Sequence, residues 1–147
     1  MTIRQLSIFI ENKSGALVEV LDRLKEAGIS LIASNIADTV EYGICRILCD
    51  DPERAYNVLK DSDTAVAVSD VFAIELDNRP GCAADVIRVL SGEGVSITYL
   101  YSFLVAGHGV IIFRTDAAAK TAGAIERSRF TTISEQQLRD LATGAAK

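Results

Sequence analysis

Apolar positions along this chain alternate between strand-like runs and runs at helical spacing, and the whole order then occurs a second time. In the first stretch, Gln5–Ile10 is apolar and strand-like, and the next apolar residues recur every three or four positions from Ala16 to Ala27. Asp51 followed by Pro52 is typical of the start of a helix. The elements predicted here are strands at 5–10, 29–36, 44–49 and 65–68 and helices at 16–27 and from 52 onwards.

The second stretch shows the same succession of patterns. Its predicted elements are strands at 71–76, 95–104, 110–115 and 130–133 and helices that begin near Cys82 and Asp116. An additional helix follows, because the run Ser134-Glu135-Gln136-Gln137 is a capping box and Gly144 is a typical helix end.

A direct internal repeat underlies this doubling. When the chain is shifted by 66 residues, Ile8–Leu31 lies over Ile74–Ile97 with seven identities in 24 positions. About one or two identities would be expected by chance from average residue usage. The same shift later aligns Gly43 with Gly109 and Asp50 with Asp116. The chain therefore contains two copies of one unit, joined with almost no linker near residues 69–71.

Each copy has the order βαββαβ, which is the ferredoxin-like topology with an antiparallel sheet and both helices on one face. The fold class is therefore α+β, with two such units related by a pseudo-twofold. We expect a first domain at residues 1–70 and a second domain at 71–147 that carries the extra C-terminal helix. Because two strand edges remain after pairing within the chain, we also expect a homodimer.

Charge and composition exclude several classes of function. Fifteen basic against twenty acidic residues give a net charge of −5, whereas a nucleic-acid binder needs a basic face. No apolar run approaches the roughly 20 residues that span a bilayer, and the N-terminal residues lack a secretory pattern, so we expect a cytoplasmic protein without membrane contact. One histidine and no tryptophan leave few residues for catalysis, and no motif indicates a cofactor.

The remaining reactive side chains favour structural roles. Cys45 and Cys49 share a strand face, but a ferredoxin-like metal chaperone would have its cysteines in the first turn, which has only Cys82, so no metal site is predicted. Cys82 lies at a helix start, where a redox role competes with simple packing. His108 stands between two glycines at a predicted hairpin tip and is expected to be an exposed loop residue.

The turn between the first strand and the first helix is the candidate binding feature in both copies. It reads Asn12-Lys13-Ser14-Gly15 in the first copy and Asn78-Arg79-Pro80-Gly81 in the second. A helix N-terminus offers free N–H groups and partial positive charge to a carboxylate, and asparagine can both donate and accept hydrogen bonds. The same residues are also ordinary helix-entry chemistry, which a duplicated fold would duplicate as well.

These turns, together with Gly94-Val95-Ser96-Ile97 and Gly28-Ile29-Ser30-Leu31, resemble the ACT domain family of small-molecule sensing modules. The resemblance covers nearly the whole chain and is closest to stand-alone tandem members, some regarded as amino-acid-binding or acetolactate-synthase-regulatory-like. It departs from the family pattern at Ser14, where proline is frequent, and at Ser30 and Ser96, where several members have asparagine.

The resemblance implies that effectors bind where one unit meets its neighbour. The turn 12–17 would face a neighbouring strand near Ser96, and the turn 78–83 would face one near Ser30. The ligand-binding residues expected on this basis are Asn12, Lys13, Ser14, Gly15, Ala16, Leu17, Ser30, Asn78, Arg79, Pro80, Gly81, Cys82, Ala83 and Ser96.

Three functions remain open from the sequence. The first is a non-catalytic regulatory protein that binds a free amino acid. The second is a regulatory or scaffold subunit of an amino-acid biosynthetic enzyme that needs no ligand of its own. The third, a small enzyme, is disfavoured because no base–nucleophile or carboxylate pair accompanies the turns.

Overall fold

The computed structural model describes residues 1–11, 13–38, 42–77 and 79–144. Its elements are β1 (Ile3–Glu11), α1 (Ala16–Glu26), β2 (Leu31–Asp38), β3 (Tyr42–Cys49), α2 (Pro52–Asp61), β4 (Val66–Leu76), α3 (Cys82–Gly92), β5 (Ile97–Val105), β6 (His108–Thr115), α4 (Ala118–Arg127) and α5 (Glu135–Thr143). Contacts divide the chain into a first unit, Arg4–Ser69, and a second unit formed by Asp70–Lys147 with Met1–Ile3.

The first unit is an antiparallel sheet with helices α1 and α2 packed against one face. Its strands lie in the order β2-β3-β1-β4, and Cys45 on β3 is opposite both Ile8 on β1 and Ile36 on β2. Alternate strand residues meet the apolar stripe of each helix, as the period of two in strands requires. The resulting core consists of Leu6, Ile8, Val20, Leu24, Ile29, Cys45, Ile47, Ala55 and Leu59.

The second unit repeats this arrangement with strands in the order β4-β6-β5 and with helices α3 and α4 on the core. Phe72 and Phe113 stack within the core with ring centroids 5.5 Å apart. The other core residues are Ile74, Val86, Leu90, Val95, Ile111, Ala124 and Ile125.

Hydrogen bonds repeat along with the elements. The Phe9 N–H donates to the Ala65 carbonyl at 2.9 Å, and 66 residues later the Glu75 N–H donates to the Thr131 carbonyl at 2.8 Å. The first helix of each unit also ends in the same way. The Ile29 N–H donates to the Leu24 carbonyl at 3.0 Å, and the Val95 N–H donates to the Leu90 carbonyl at 3.0 Å. The predicted βαββαβ order is therefore confirmed in both copies, except that the last strand of the second copy is reduced to a bridge.

Two details differ from the predicted strands. The predicted strands at 65–68 and 71–76 are one continuous strand, β4, because no glycine or proline interrupts the backbone between them. The predicted strand at 130–133 is only a single bridge between Ile74 and Thr132, because Ser134 begins α5 directly after it.

The predicted helix starts are confirmed at two capping positions. The Asp51 side chain accepts a hydrogen bond from the Arg54 N–H at 3.2 Å, with Pro52 at the first helical position. The Ser134 hydroxyl accepts from the Gln137 N–H, and the Gln137 side chain accepts from the Ser134 N–H, which completes the capping box of α5.

Helix α5 lies beside the sheet face of the second unit that α3 and α4 leave open. Its residue Leu138 is 3% exposed. Ala73, Val110 and Ile112 are also buried, and because they alternate with the core positions of their strands, they lie on the opposite sheet face from α3 and α4. A small cavity of about 230 Å³ brings Gln137, Asp140 and Leu141 of α5 close to β4 and β6. The extra helix thus belongs structurally to the second unit.

Candidate functional site at the strand–helix turn

The turn that leads into the first helix of each unit is built on a left-handed glycine. Gly15 and Gly81 are the residues that cap α1 and α3, with φ values of 89° and 87°. Neither helix has a side-chain hydrogen bond at its N-cap. Because the first N–H groups of a helix have no partner within it, this end can receive an acceptor from outside. The predicted residues Asn12 and Asn78 lie outside the described residues.

Replacing Gly15 with alanine is expected to lower the free energy of unfolding by about 1–2 kcal/mol, because an L residue is strained in the left-handed region. A Cβ atom at Gly15 would meet no atom within 4 Å, so the cost comes from the backbone alone. Urea denaturation followed by circular dichroism measures it. Gly92→Ala is the matched control, since Gly92 has open space and no positive φ, and it should be neutral or stabilising by up to about 1 kcal/mol. Equal losses in both variants would contradict the conformational explanation.

Beside the turn of the first unit is a cleft of about 390 Å³, which we call the turn cleft. It is lined by the end of β1, by the first turns of α1 and by residues 62–65 before β4. Of the predicted site residues it brings together Lys13 and Ala16. Ser14 and Gly15 in the turn and Leu17 on α1 do not line the cleft.

The charges around the turn cleft are only partly paired. The Lys13 Nζ atom lies 3.2 Å from the Glu11 carboxylate, and both side chains are largely exposed. Arg23 donates from Nη1 to the Thr64 hydroxyl at 3.2 Å. Within the described part of the chain, neither Arg23 nor Glu19 forms an ion pair, although both line the cleft. Sequence reasoning missed these two side chains because the helical spacing alone places them on the polar side of α1.

In the corresponding turn of the second unit, the charged side chains form ion pairs with one another. Arg79 lies 3.2 Å from Asp85 and 3.6 Å from Asp77, and Asp85 also pairs with Arg88 at 3.0 Å. The hydrogen bond to Asp85, with the attraction of the same carboxylate, raises the pKa of Arg79 above its ordinary value. Pro80, Gly81 and Ala83 are exposed and Cys82 is half-buried at the start of α3. The predicted cation of this turn is therefore already neutralised by its own unit.

Comparison with known proteins decides the family, because a family model described as an ACT domain pair matches residues 1–142. The chain belongs to the ACT domain family. ACT domains are regulatory, ligand-binding domains rather than catalytic ones. The doubled unit with its strand–turn–helix site is thus an ACT pair.

Several solved structures share this fold. The ACT pair is similar to a protein from Bacteroides thetaiotaomicron, with 38% identity, a TM-score of 0.89 and coverage of 96% of this chain and 98% of that one. It also shares its fold with the regulatory subunit of aspartate kinase from Thermus thermophilus in a ligand-free form, at 16% identity, a TM-score of 0.59 and coverage of 84% and 91%. The corresponding Thermus flavus subunit has 16% identity, a TM-score of 0.57 and coverage of 84% and 90%. A search of the curated proteins finds no match.

Ser30 and Ser96 lie at the opposite end of the first helix from the turn of their own ACT unit. Each follows the C-terminal end of that helix, and each donates its backbone N–H to an aspartate, Asp50 at 3.0 Å and Asp116 at 3.2 Å. These aspartates are the residues that the repeat aligns, so their duplication has a structural reason. Within one unit, the structure does not bring the serine and the turn together.

The cysteines of the first ACT unit belong to its interior. Cys45 is a core residue, Cys49 is half-buried against the same core, and burial raises the pKa of the Cys45 thiol. A thiol that stays protonated is a poor nucleophile and a poor metal ligand. Among the residues that the structure describes, no group of three or more His, Cys, Asp or Glu side chains could hold a metal ion.

His108 is exposed, as its flanking glycines predict, but it is a strand residue and not a loop residue. It begins β6, and its Nδ1 atom lies 2.6 Å from the Glu75 Oε1 atom. The preceding residues Ala106 and Gly107 form the actual turn, with φ values of 49° and 79°. Only the register of β4 against β6 places His108 beside Glu75, so the sequence carries no local signal for this contact.

The described helices include none that is both long enough and apolar enough to cross a membrane.

Proposed function

We propose that this ACT pair is a non-catalytic regulatory protein that binds a free α-amino acid, with residues 1–70 and 71–147 as its two ACT domains. The observation that carries the proposal is the strand–helix turn beside the turn cleft. There a left-handed glycine leaves the start of α1 without a side-chain cap, and the neighbouring cleft has both acidic and basic side chains. An amino acid carries a carboxylate and an ammonium group on one carbon, so it needs both kinds of partner.

The ligand also needs a second wall. Following the family resemblance, we propose that turn 12–17 faces a neighbouring unit's strand near Ser96 and that turn 78–83 faces one near Ser30, in a cytoplasmic homodimer. Binding would order the contact between units and change which surface a partner enzyme meets. The change cannot exceed the ligand's differential affinity for the two arrangements.

A screen for thermal stabilisation by each of the twenty amino acids tests this function. A ligand present at one hundred times its Kd should stabilise the folded protein by about 2.7 kcal/mol. Amino-acid derivatives with a blocked amino group or an amidated carboxyl group are the matched controls, and both should fail to stabilise. If no amino acid raises the melting temperature at millimolar concentration, the proposal is wrong.

A regulatory or scaffold subunit without its own ligand is the second candidate. It is favoured by the shared fold with an aspartate kinase regulatory subunit and by the charge of residues 1–70, where twelve acidic residues outnumber seven basic ones. Stable association with a purified amino-acid biosynthetic enzyme, unchanged by any amino acid, would support it over the first.

A further inference from the structure

We propose that the two ACT units differ in function, and that the first unit alone recognises the charged groups of the amino acid. In the turn cleft, Arg23 would bind the carboxylate and Glu19 the ammonium group. This inference rests on the proposed amino-acid binding and names the residues, the unit and the class of ligand.

Glu19 and Arg23 carry opposite charges on one helix but do not form an ion pair with each other. They are four residues apart on α1, where side chains of that spacing share a face about 5–6 Å apart at Cβ. Both line the turn cleft, yet no ion pair within 4.0 Å joins them or links either to another of the described residues. A separated acid and base on one cleft wall match the separated charges of a zwitterion.

Arg23 is also held in position. It is half-buried, and one guanidinium nitrogen, Nη1, donates to the Thr64 hydroxyl at 3.2 Å, which fixes the group against the loop before β4. A guanidinium has five N–H donors, so donors remain for a carboxylate. A positioned arginine loses less side-chain entropy on binding than a mobile one.

The remaining lining defines the class of amino acid. The charged residues of the turn cleft are Glu11, Lys13, Glu19, Arg23 and Asp63, three acids against two bases. Such a cleft disfavours a second carboxylate on the ligand. Apolar groups of Phe9, Ile10 and Val20 also line it. The charge of the lining therefore disfavours an acidic side chain, and its apolar groups favour an α-amino acid with an apolar side chain.

The second unit lacks the same pair. The repeat aligns Arg23 with Val89 and Thr64 with Phe130, so both members of the hydrogen bond are apolar there. Phe130 instead packs against the core of its unit. The counterpart of Glu19 is Asp85, whose carboxylate is already shared by Arg79 and Arg88. Both units therefore have the same fold around the turn, but only the first unit has, beside its turn, an acidic and a basic side chain without ion-pair partners among the described residues.

Calorimetric titration of the full chain with the apolar α-amino acids tests the assignment. The wild-type protein should bind one ligand per chain. Arg23→Met and Glu19→Gln should each weaken binding by roughly 10- to 100-fold, the effect expected when a hydrogen bond to a charged group is lost. Arg23→Lys keeps the positive charge but lacks the planar set of guanidinium N–H donors, so its affinity should lie between those of the wild type and Arg23→Met. Lys25→Met is the matched control on the same helix, outside the cleft lining, and should bind like wild type.

The outcomes separate this inference from the proposed function. Wild-type affinity in both Arg23→Met and Glu19→Gln, or two equivalent ligands per chain, would overturn the inference while amino-acid binding itself stood. Absence of binding by the wild-type chain would overturn both. Unfolding curves without ligand identify a variant that has lost its fold, and Arg23→Lys, which keeps the charge at that position, then decides the role of Arg23.

Discussion

Replacing Phe113 with alanine is expected to lower the free energy of unfolding by about 3–5 kcal/mol, the usual cost of truncating a buried phenylalanine. Phe113 is 1% exposed in the core of the second unit and stacks on Phe72. The substitution removes its buried apolar area, leaves a cavity in a packed interior and ends the ring contact. Urea denaturation, followed by far-ultraviolet circular dichroism, measures the loss.

Leu104→Ala on the neighbouring strand β5 is the control, because Leu104 is 73% exposed. Surface substitutions of this kind usually change stability by less than about 0.5 kcal/mol. A loss below about 1 kcal/mol for Phe113→Ala would show that the second core does not depend on this aromatic pair.

Leu24→Ala is expected to cost about 2–5 kcal/mol and to weaken amino-acid binding as well. Leu24 is 1% exposed and holds α1 on the sheet of the first unit. It directly follows Arg23, so a shift of the helix into the cavity would displace the cleft wall. The measurement is the unfolding free energy together with the Kd of the amino acid found in the screen.

Val18→Ala on the same helix provides the matched control, since Val18 is 54% exposed and absent from the core. It should leave both stability and affinity near their wild-type values. Unchanged affinity in a folded Leu24→Ala protein would indicate that the packing of α1 does not set the geometry of the ligand site.

The sequence predicts much of the fold because the signals for it are local. The left-handed glycines at Gly15 and Gly81, the capping residue Asp51 and the capping box at Ser134 each act on backbone groups a few residues away. The shift by 66 residues then doubles every signal. The predicted elements are accordingly confirmed, apart from the merged strand β4 and the shortened strand near Thr132.

The predicted site is harder to read from sequence because its chemistry depends on which charges meet. Lys13 and Arg79 look equivalent in the turn motif, yet Arg79 has two carboxylates within reach and Lys13 has one. Arg23 attracts no notice in the sequence, since nothing local indicates that Thr64, 41 residues away, will hold it.

The sequence alone thus determined that this chain has two βαββαβ units with a glycine turn before each first helix, because periodicity and turn chemistry are properties of neighbouring residues. The tertiary structure decided which of those turns has unpaired charges beside it, that His108 contacts Glu75, and that α5 lies close to β4 and β6. These contacts depend on strand register and on the packing of distant segments, which no short stretch of sequence contains.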